Sequence, residues 1–300
     1  MPGRGRGSPA ASGLIAIVAM LVSTLCYLGG DTLVKIATDS LPVPQIIAIR
    51  GLFTALLVMA AAAASGVLRY WSHMLAPRIL LRGGFDAVTT LMFTYALANM
   101  RIADATAIIN AVPIAATVLA VVFLRERVSH FRWLAIVAGF LGVLLVMQPD
   151  ANGFNVYGFL ALGAMISVAG REVITRGISV DVPSLIVTLC SAAAVGAAGA
   201  VASLATATWE PVGYFELGIL AVAAVFLFGA YHFSVVAVRL GEVSLVSPFR
   251  YAIIVWGLGV GYFVWGDVPG WSALAGMALI VAAGLYVIRS EYNNSRSTEE

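Results

Sequence analysis

The residues that could do chemistry in this chain are charges set inside apolar runs. "GGDTLVKIATDSLP" ends the first such run and carries Asp31 and, four residues on, Lys35, the single lysine of the chain. On a helix this acid-first spacing favours an ion pair. Glu172 and Arg176 repeat the order, with Arg171 beside the acid, and Arg82 precedes Asp86 by the same interval. Arg50 lies deeper than a residue that snorkels to the interface, with Asp31 or Asp39 as a partner. A side chain of this kind at membrane depth costs about 3 kcal/mol unless it pairs or faces water. Two roles fit the Asp31–Lys35 and Glu172–Arg176 pairs: gates that exchange partners, or static pairs at helix ends. Arg82 and Asp86 read as a packing pair.

Arg250, in "SPFRYAIIVW", stands about 12 Å from the end of its run at 1.5 Å per residue. A guanidinium there either grips a carboxylate with two hydrogen bonds or acts as a counter-ion to Glu242 or Glu172. Pro113 and Pro248 interrupt apolar runs, and a proline within a spanning helix frees a carbonyl that a cavity or neighbour must satisfy. Asn110 lies one turn before the first proline, and Ser247 and Arg250 flank the second, which makes these two kinks the best pointer to a binding site. None of this is bond-making machinery. No H-E-x-x-H or G-x-S-x-G motif is present, and no cofactor or metal spacing appears.

The elements that must position these residues are membrane spans. Only 11% of the residues are charged and 61% are hydrophobic, with a mean hydropathy of +0.98, whereas soluble domains carry about 25% charged residues. The net charge of +2 argues against a nucleic-acid partner. Cys26 and Cys190 sit in apolar runs and read as free buried thiols. Arg4 and Arg6 precede an apolar run long enough to span by itself, with no small-residue cleavage pattern, so that run reads as a first span. At about 20 apolar residues per span, ten candidates emerge: 14–38, 44–65, 79–99, 102–124, 131–148, 156–178, 184–206, 215–238, 243–265 and 270–289, with flexible tails at 1–12 and 290–300. Arginine placement puts both termini in the cytoplasm. One side holds Arg69, Arg78, Arg82, Arg125, Arg127, Arg132, Arg176, Arg239, Arg289 and Arg296. The opposite loops hold none, and Lys35 and Arg101 are the exceptions.

The chain also repeats itself. At an offset of 141 residues Gly29, Asp31, Lys35 and Pro42 meet Gly170, Glu172, Arg176 and Pro183. Glu126 meets Asp267 at the same offset, and "RIADAT" meets "RLGEVS" at 138. Two halves, 14–148 and 156–289, each of five spans, must then enter the membrane from opposite sides. The expected fold is therefore an all-α membrane protein of ten helices in a 5+5 inverted repeat, an arrangement that places substrate near the midplane between the halves.

With "IAIRG", "YALANMRIADATAIINAVP", "FLRERVSHFRWLAIVAGFLGVLLVMQP", "VRLGEVSLVSPFRY" and "GYFVWGDVPGW", the chain resembles the ten-helix, EamA-type branch of the drug/metabolite transporter superfamily over residues 14–290. The resemblance implies a central cavity lined mainly by the first, third, fourth, sixth, eighth and ninth spans, and solutes ranging from amino acids to nucleotide-linked metabolites, vitamins and drugs. Tyr27, Tyr95, Tyr231, Tyr251 and Trp256 fall on those spans, and a buried phenol needs a polar partner. His232 either carries a proton in a coupled cycle or packs as a hydrogen-bonded residue. The expected binding set is Tyr27, Tyr95, Asn110, Pro113, Tyr231, His232, Pro248, Arg250 and Tyr251. The expected ion-pair set is Asp31, Lys35, Asp86, Arg171, Glu172 and Arg176.

The expected activity is secondary transport of small polar metabolites by alternating access, with amino acids exported across the inner membrane. The alternatives are import of a riboflavin- or S-adenosylmethionine-type solute and a membrane-embedded enzyme. Its partners are a small-molecule substrate and the lipid bilayer. Ala192, Gly196 and Ala200 permit close helix packing within a monomer or between subunits. The architecture makes a monomer sufficient, and the sequence leaves the oligomeric state open.

Overall fold

A computed structural model describes residues 9–124, 130–147, 156–179, 181–240 and 246–299. Eleven helices are found among them: α1 (Pro9–Ala37), α2 (Val43–Ala64), α3 (Pro77–Asn99), α4 (Ile102–Ile109), α5 (Val112–Leu124), α6 (His130–Met147), α7 (Val156–Arg176), α8 (Ser184–Ala205), α9 (Tyr214–Leu240), α10 (Ala252–Val260) and α11 (Trp271–Glu299). No strand occurs among the described residues. Seven stretches are long and apolar enough to cross a membrane, with α4 and the start of α5 counted as one. α3 has the length but carries Arg78, Arg82 and Asp86, and α6 is shorter.

Proline and glycine set the boundaries. Pro44, Pro77 and Pro183 stand at or just before helix starts, where a missing N–H costs nothing. Gly66, at φ 70°, ends the turn after α2, a left-handed conformation that a side chain would oppose. The predicted span 102–124 is broken: Asn110 and Ala111 interrupt the ladder between α4 and α5, with Pro113 unable to donate. The predicted span at 243–265 is irregular at both ends, with a 3₁₀ turn at Ser247–Tyr251 before α10 and a π turn at Gly261–Trp265 after it. α11 runs on to Glu299, through most of the segment read as a tail. Residues 1–8 and Arg125, Glu126, Arg127 and Glu242 lie outside the described residues, as do the side chains of Arg132, Arg176, Arg239, Ser247 and Arg296.

The helices associate in pairs: α1 along α9, α2 along α8, α3 along α7, α6 along α11 and α4 against α10. Large apolar side chains face outward along most of them, among them Leu52, Phe140, Val201 and Phe263. That is the pattern of a chain whose solvent is lipid. With no hydrophobic drive between helices in lipid, close approach and interhelical hydrogen bonds hold them. Ser23 donates to the Ala230 carbonyl at 2.8 Å, joining α1 to α9, and Ser167 donates to the Phe85 carbonyl at 3.1 Å, joining α7 to α3.

Small residues supply the close approach. A Cβ at Gly51 would stand 2.5 Å from Gly196 Cα, and one at Gly199 would stand 2.5 Å from Ala48 N. Gly142 and Gly276 meet in the same way between α6 and α11. The small-residue stripe on α8 thus serves packing within the monomer. Gly199→Val is expected to destabilise the chain by about 1–3 kcal/mol, the cost of overpacking a tight site. Gly218→Ala, inside α9 where a Cβ meets nothing within 4 Å, is expected to raise stability by up to about 1 kcal/mol. Thermal unfolding in detergent checks both.

Candidate functional site

A cavity of about 620 Å³ lies between the helix pairs. α1 lines it with Ser23, Thr24, Tyr27 and Asp31, and α2 with Arg50 and Thr54. α3 contributes Arg82, Asp86, Thr89, Thr90 and Phe93, and α7 contributes Arg171 and Glu172. Thr188 and Ser191 come from α8, Tyr231 and Ser234 from α9. The break between α4 and α5 supplies Asn110 and Pro113, and the 3₁₀ turn supplies Arg250 and Tyr251. On α3 the lining positions recur every three or four residues, one stripe of the helix.

Charge pairing organises the wall. The buried Asp86 carboxylate accepts from Arg82 at 3.0 Å through one oxygen and from Arg171 at 2.8 Å through the other. Arg82 also donates to Thr175 at 3.1 Å and to Ser191. One acid therefore ties α3 to α7 and, through Arg82, to α8. Arg50 faces Asp31 at 3.9 Å, an attraction longer than a hydrogen bond. Among the described residues neither Glu172 nor Arg250 has an ion-pair partner within 4 Å. The Tyr27 and Tyr231 rings meet edge to face, 5.8 Å apart at 78°.

The cavity lies between the two faces of the bundle, its lining a few residues nearer one of them. Its lining includes the sixth residue of α3 and the fifth of α8, and it comes within five residues of the end of α7. Toward the opposite face it stops near Asp31, Arg50 and Phe93, and beyond them the helices are cross-tied. Lys35 donates to the Leu97 carbonyl at 2.7 Å and to the Met100 carbonyl, with its ammonium 5.4 Å from the centre of the Trp265 ring. Those carbonyls belong to the C-terminus of α3, the negative end of the helix dipole. Gln45, fully buried, exchanges two hydrogen bonds with the Glu210 backbone, at 2.7 and 3.0 Å. Arg101 binds Asp104 at 2.6 Å and the Val268 carbonyl at 3.3 Å. The two cations left on the wrong side by the arginine distribution are thus both engaged in this seal.

Ten of the fifteen expected site residues line the cavity: Tyr27, Asp31, Asp86, Asn110, Pro113, Arg171, Glu172, Tyr231, Arg250 and Tyr251. Asp31 and Lys35 do not pair, because Arg50 and the α3 carbonyls are nearer partners than the next turn of α1. Tyr95 and His232 fall off the lining stripes. Tyr95 points outward, and His232 is exposed against the edge of Phe233. Pro248 is exposed in its turn and Trp256 is partly exposed, both away from the cavity. The Arg176 side chain lies outside the described residues. Sequence reasoning missed Ser191, although it stands 141 residues after Arg50, the offset at which the charged motifs recur. Among the described residues no group of three His, Cys, Asp or Glu is placed to hold a metal.

Residues 14–148 match the model of the EamA-like transporter family. The S-adenosylmethionine uptake transporter of Rickettsia bellii is 30% identical over 217 residues, 71% of this chain and 72% of that protein. The chain belongs to the EamA-like transporter family. It is a multi-pass membrane protein of the drug/metabolite transporter superfamily. Other EamA-type relatives carry different solutes in their names. The pseudopaline exporter CntI of Pseudomonas aeruginosa is 26% identical over 280 residues, 93% of this chain and 96% of the exporter. The riboflavin transporter of Brucella anthropi is 26% identical over 226 residues, 73% of this chain and 78% of that protein. A solved crystal structure, 21% identical, superposes with a TM-score of 0.58 over 99% of this chain and all of its own, a likeness of fold alone.

Asp86→Asn leaves two guanidiniums without their shared counter-charge. The expected loss is about 3 kcal/mol, the low end for a broken buried pair because the cavity side is open. Thermal unfolding of the purified protein measures it, and Arg82→Gln, which leaves the Arg171 pair in place, is expected to cost less.

Proposed function

We propose that this chain is a secondary transporter moving a small polar metabolite with an amino-acid head by alternating access, and not an enzyme. The observation that carries the reading is a charged cavity enclosed between the helix pairs, with a layer of cross-ties at Lys35, Gln45 and Arg101 beyond it. The proposed frame is ten spans in two inverted halves, 14–148 and 156–289, with both termini in the cytoplasm of an inner membrane. In that count α4 and α5 form one span, and the Ser247–Trp265 segment forms another. Helix pairing supports it. Exchanging each span with the one five later turns the α1–α9 pair into α7–α3 and returns α2–α8, α6–α11 and α4–α10 to themselves. A pseudo-two-fold axis in the membrane plane has this effect.

In this frame the deep end of the cavity faces outward and its near end faces the cytoplasm, the loading state of an exporter. Lys35, Arg101 and Gln45 form the outer gate that must open for release. Amino acids exported from the cell remain the leading substrate class. The volume of about 620 Å³ lies in the range of pockets for drug-sized ligands, so larger amino-acid conjugates fit as well. S-adenosylmethionine, named in the Rickettsia relative, is such a conjugate.

Proteoliposomes loaded with unlabelled amino acids or S-adenosylmethionine should accumulate the labelled solute by counterflow, saturably and without chemical change. Flux linear in concentration would indicate a channel, and a modified product an enzyme. The gate has its own test. In a Cys26→Ala, Cys190→Ala background, Thr54→Cys should react with an impermeant thiol reagent from the cytoplasmic side. Adding Lys35→Gln should raise labelling from the outside several-fold. Equal labelling from both sides without that change defeats the assignment of Lys35 to a closed outer gate.

A further inference from the structure

We propose that Tyr27 marks the head-group subsite of the cavity: Arg171 and Arg250 receive the substrate carboxylate, and Asp31 receives its ammonium. This rests on the reading of the cavity as the transport route, and it assigns residues within it.

Three observations converge on Tyr27. Arg171, Arg250 and Asp31 all line the same cavity as this tyrosine. Tyr27 and Asp31 are one turn apart on α1, which brings their side chains to neighbouring positions on one face. Among the described residues the Tyr27 hydroxyl makes no hydrogen bond within the protein, although its ring is fixed edge-on against Tyr231. A phenol held in place with its polar end open to the cavity is poised for a ligand.

The charges around it are incompletely used. Asp86 is one carboxylate shared by two guanidiniums, so the Arg82–Asp86–Arg171 cluster keeps one surplus positive charge. Arg171 makes one hydrogen bond to Asp86 among the described residues, and a guanidinium has five donors. Arg250 has no ion-pair partner among the described residues. Two underused guanidiniums lining one cavity suit a planar carboxylate, which takes paired N–H donors. The acid on the other side is also incompletely neutralised: Asp31 meets Arg50 only at 3.9 Å and makes no hydrogen bond among the described residues. Cations and a loosely held acid lining one cavity with Tyr27 match the two ends of a zwitterionic α-amino-acid head. A solute lacking that head, such as riboflavin, leaves these groups unanswered.

Equilibrium binding to the full chain in nanodiscs tests this with matched probes: S-adenosylmethionine, phenylalanine and histidine, each beside its decarboxylated amine. At least one intact compound should bind saturably, and its amine at least about tenfold more weakly, as expected for losing charge-assisted hydrogen bonds. Arg250→Gln should weaken the intact compound to the level of its amine. Because Arg250 has no ion-pair partner among the described residues, thermal unfolding of this variant should stay near that of the unmodified protein. Asp31→Asn should weaken the intact compound and the amine alike. An amine that binds as tightly as its parent overturns the assignment, and so does riboflavin binding where none of the six probes do. Counterflow of the same compounds separates the two readings. Transport without discrimination against the amine defeats the subsite alone, and selective binding without transport defeats the route alone.

Discussion

One carboxylate shared by two guanidiniums is the interaction on which the interior depends. Asp86 is buried on α3, and an isolated charge there would cost several kcal/mol. Its two oxygens are answered from different helices, Arg82 one turn away on α3 and Arg171 across on α7. The bridge holds α3 to α7, and through Ser191 it reaches α8. It also sets the character of the cavity, since two cations on one anion leave a positive wall for whatever enters.

The same rule, that charge in hydrocarbon must be answered or wetted, explains the opposite end. Lys35 and Arg101 sit where the arginine distribution leaves few cations. They are answered by backbone: the last carbonyls of α3 take Lys35, and the Val268 carbonyl, beside Asp104, takes Arg101. Helix C-termini carry such unpaired carbonyls as a matter of geometry. These ties join α1 to α3 and α4 to the segment before α11, elements far apart in the chain.

Much of this was legible in the sequence. Prolines marked where helices start, and intramembrane charges marked the cavity wall. The pairing of charges was not legible. Spacing of four residues reports neighbours along one helix, but Asp31 meets Arg50 of α2, and a tertiary neighbour has no sequence spacing. Choice of face was legible only in part. Arg82, Asp86, Thr89 and Phe93 lie on one stripe of α3, and Tyr95 falls well round the helix from it. His232 is one residue, about 100° at 3.6 residues per turn, from Tyr231. The irregular turns flanking α10 came from no local signal beyond Pro248, because packing and not propensity decides them.

The glycine contacts between α2 and α8 have a mechanical meaning. Gly51 lies against Gly196, and Gly199 against Ala48, so backbone meets backbone with hardly a side chain between. Interlocked leucines must climb over one another before two helices can tilt, whereas bare backbones present no teeth. A crossing of this sort bears load like an axle: it resists separation yet yields to rotation. The α6–α11 crossing at Gly142 and Gly276 also brings backbones together, but with Leu145, Val146, Leu279 and Ile280 packed around it, so the freer bearing is the one between α2 and α8.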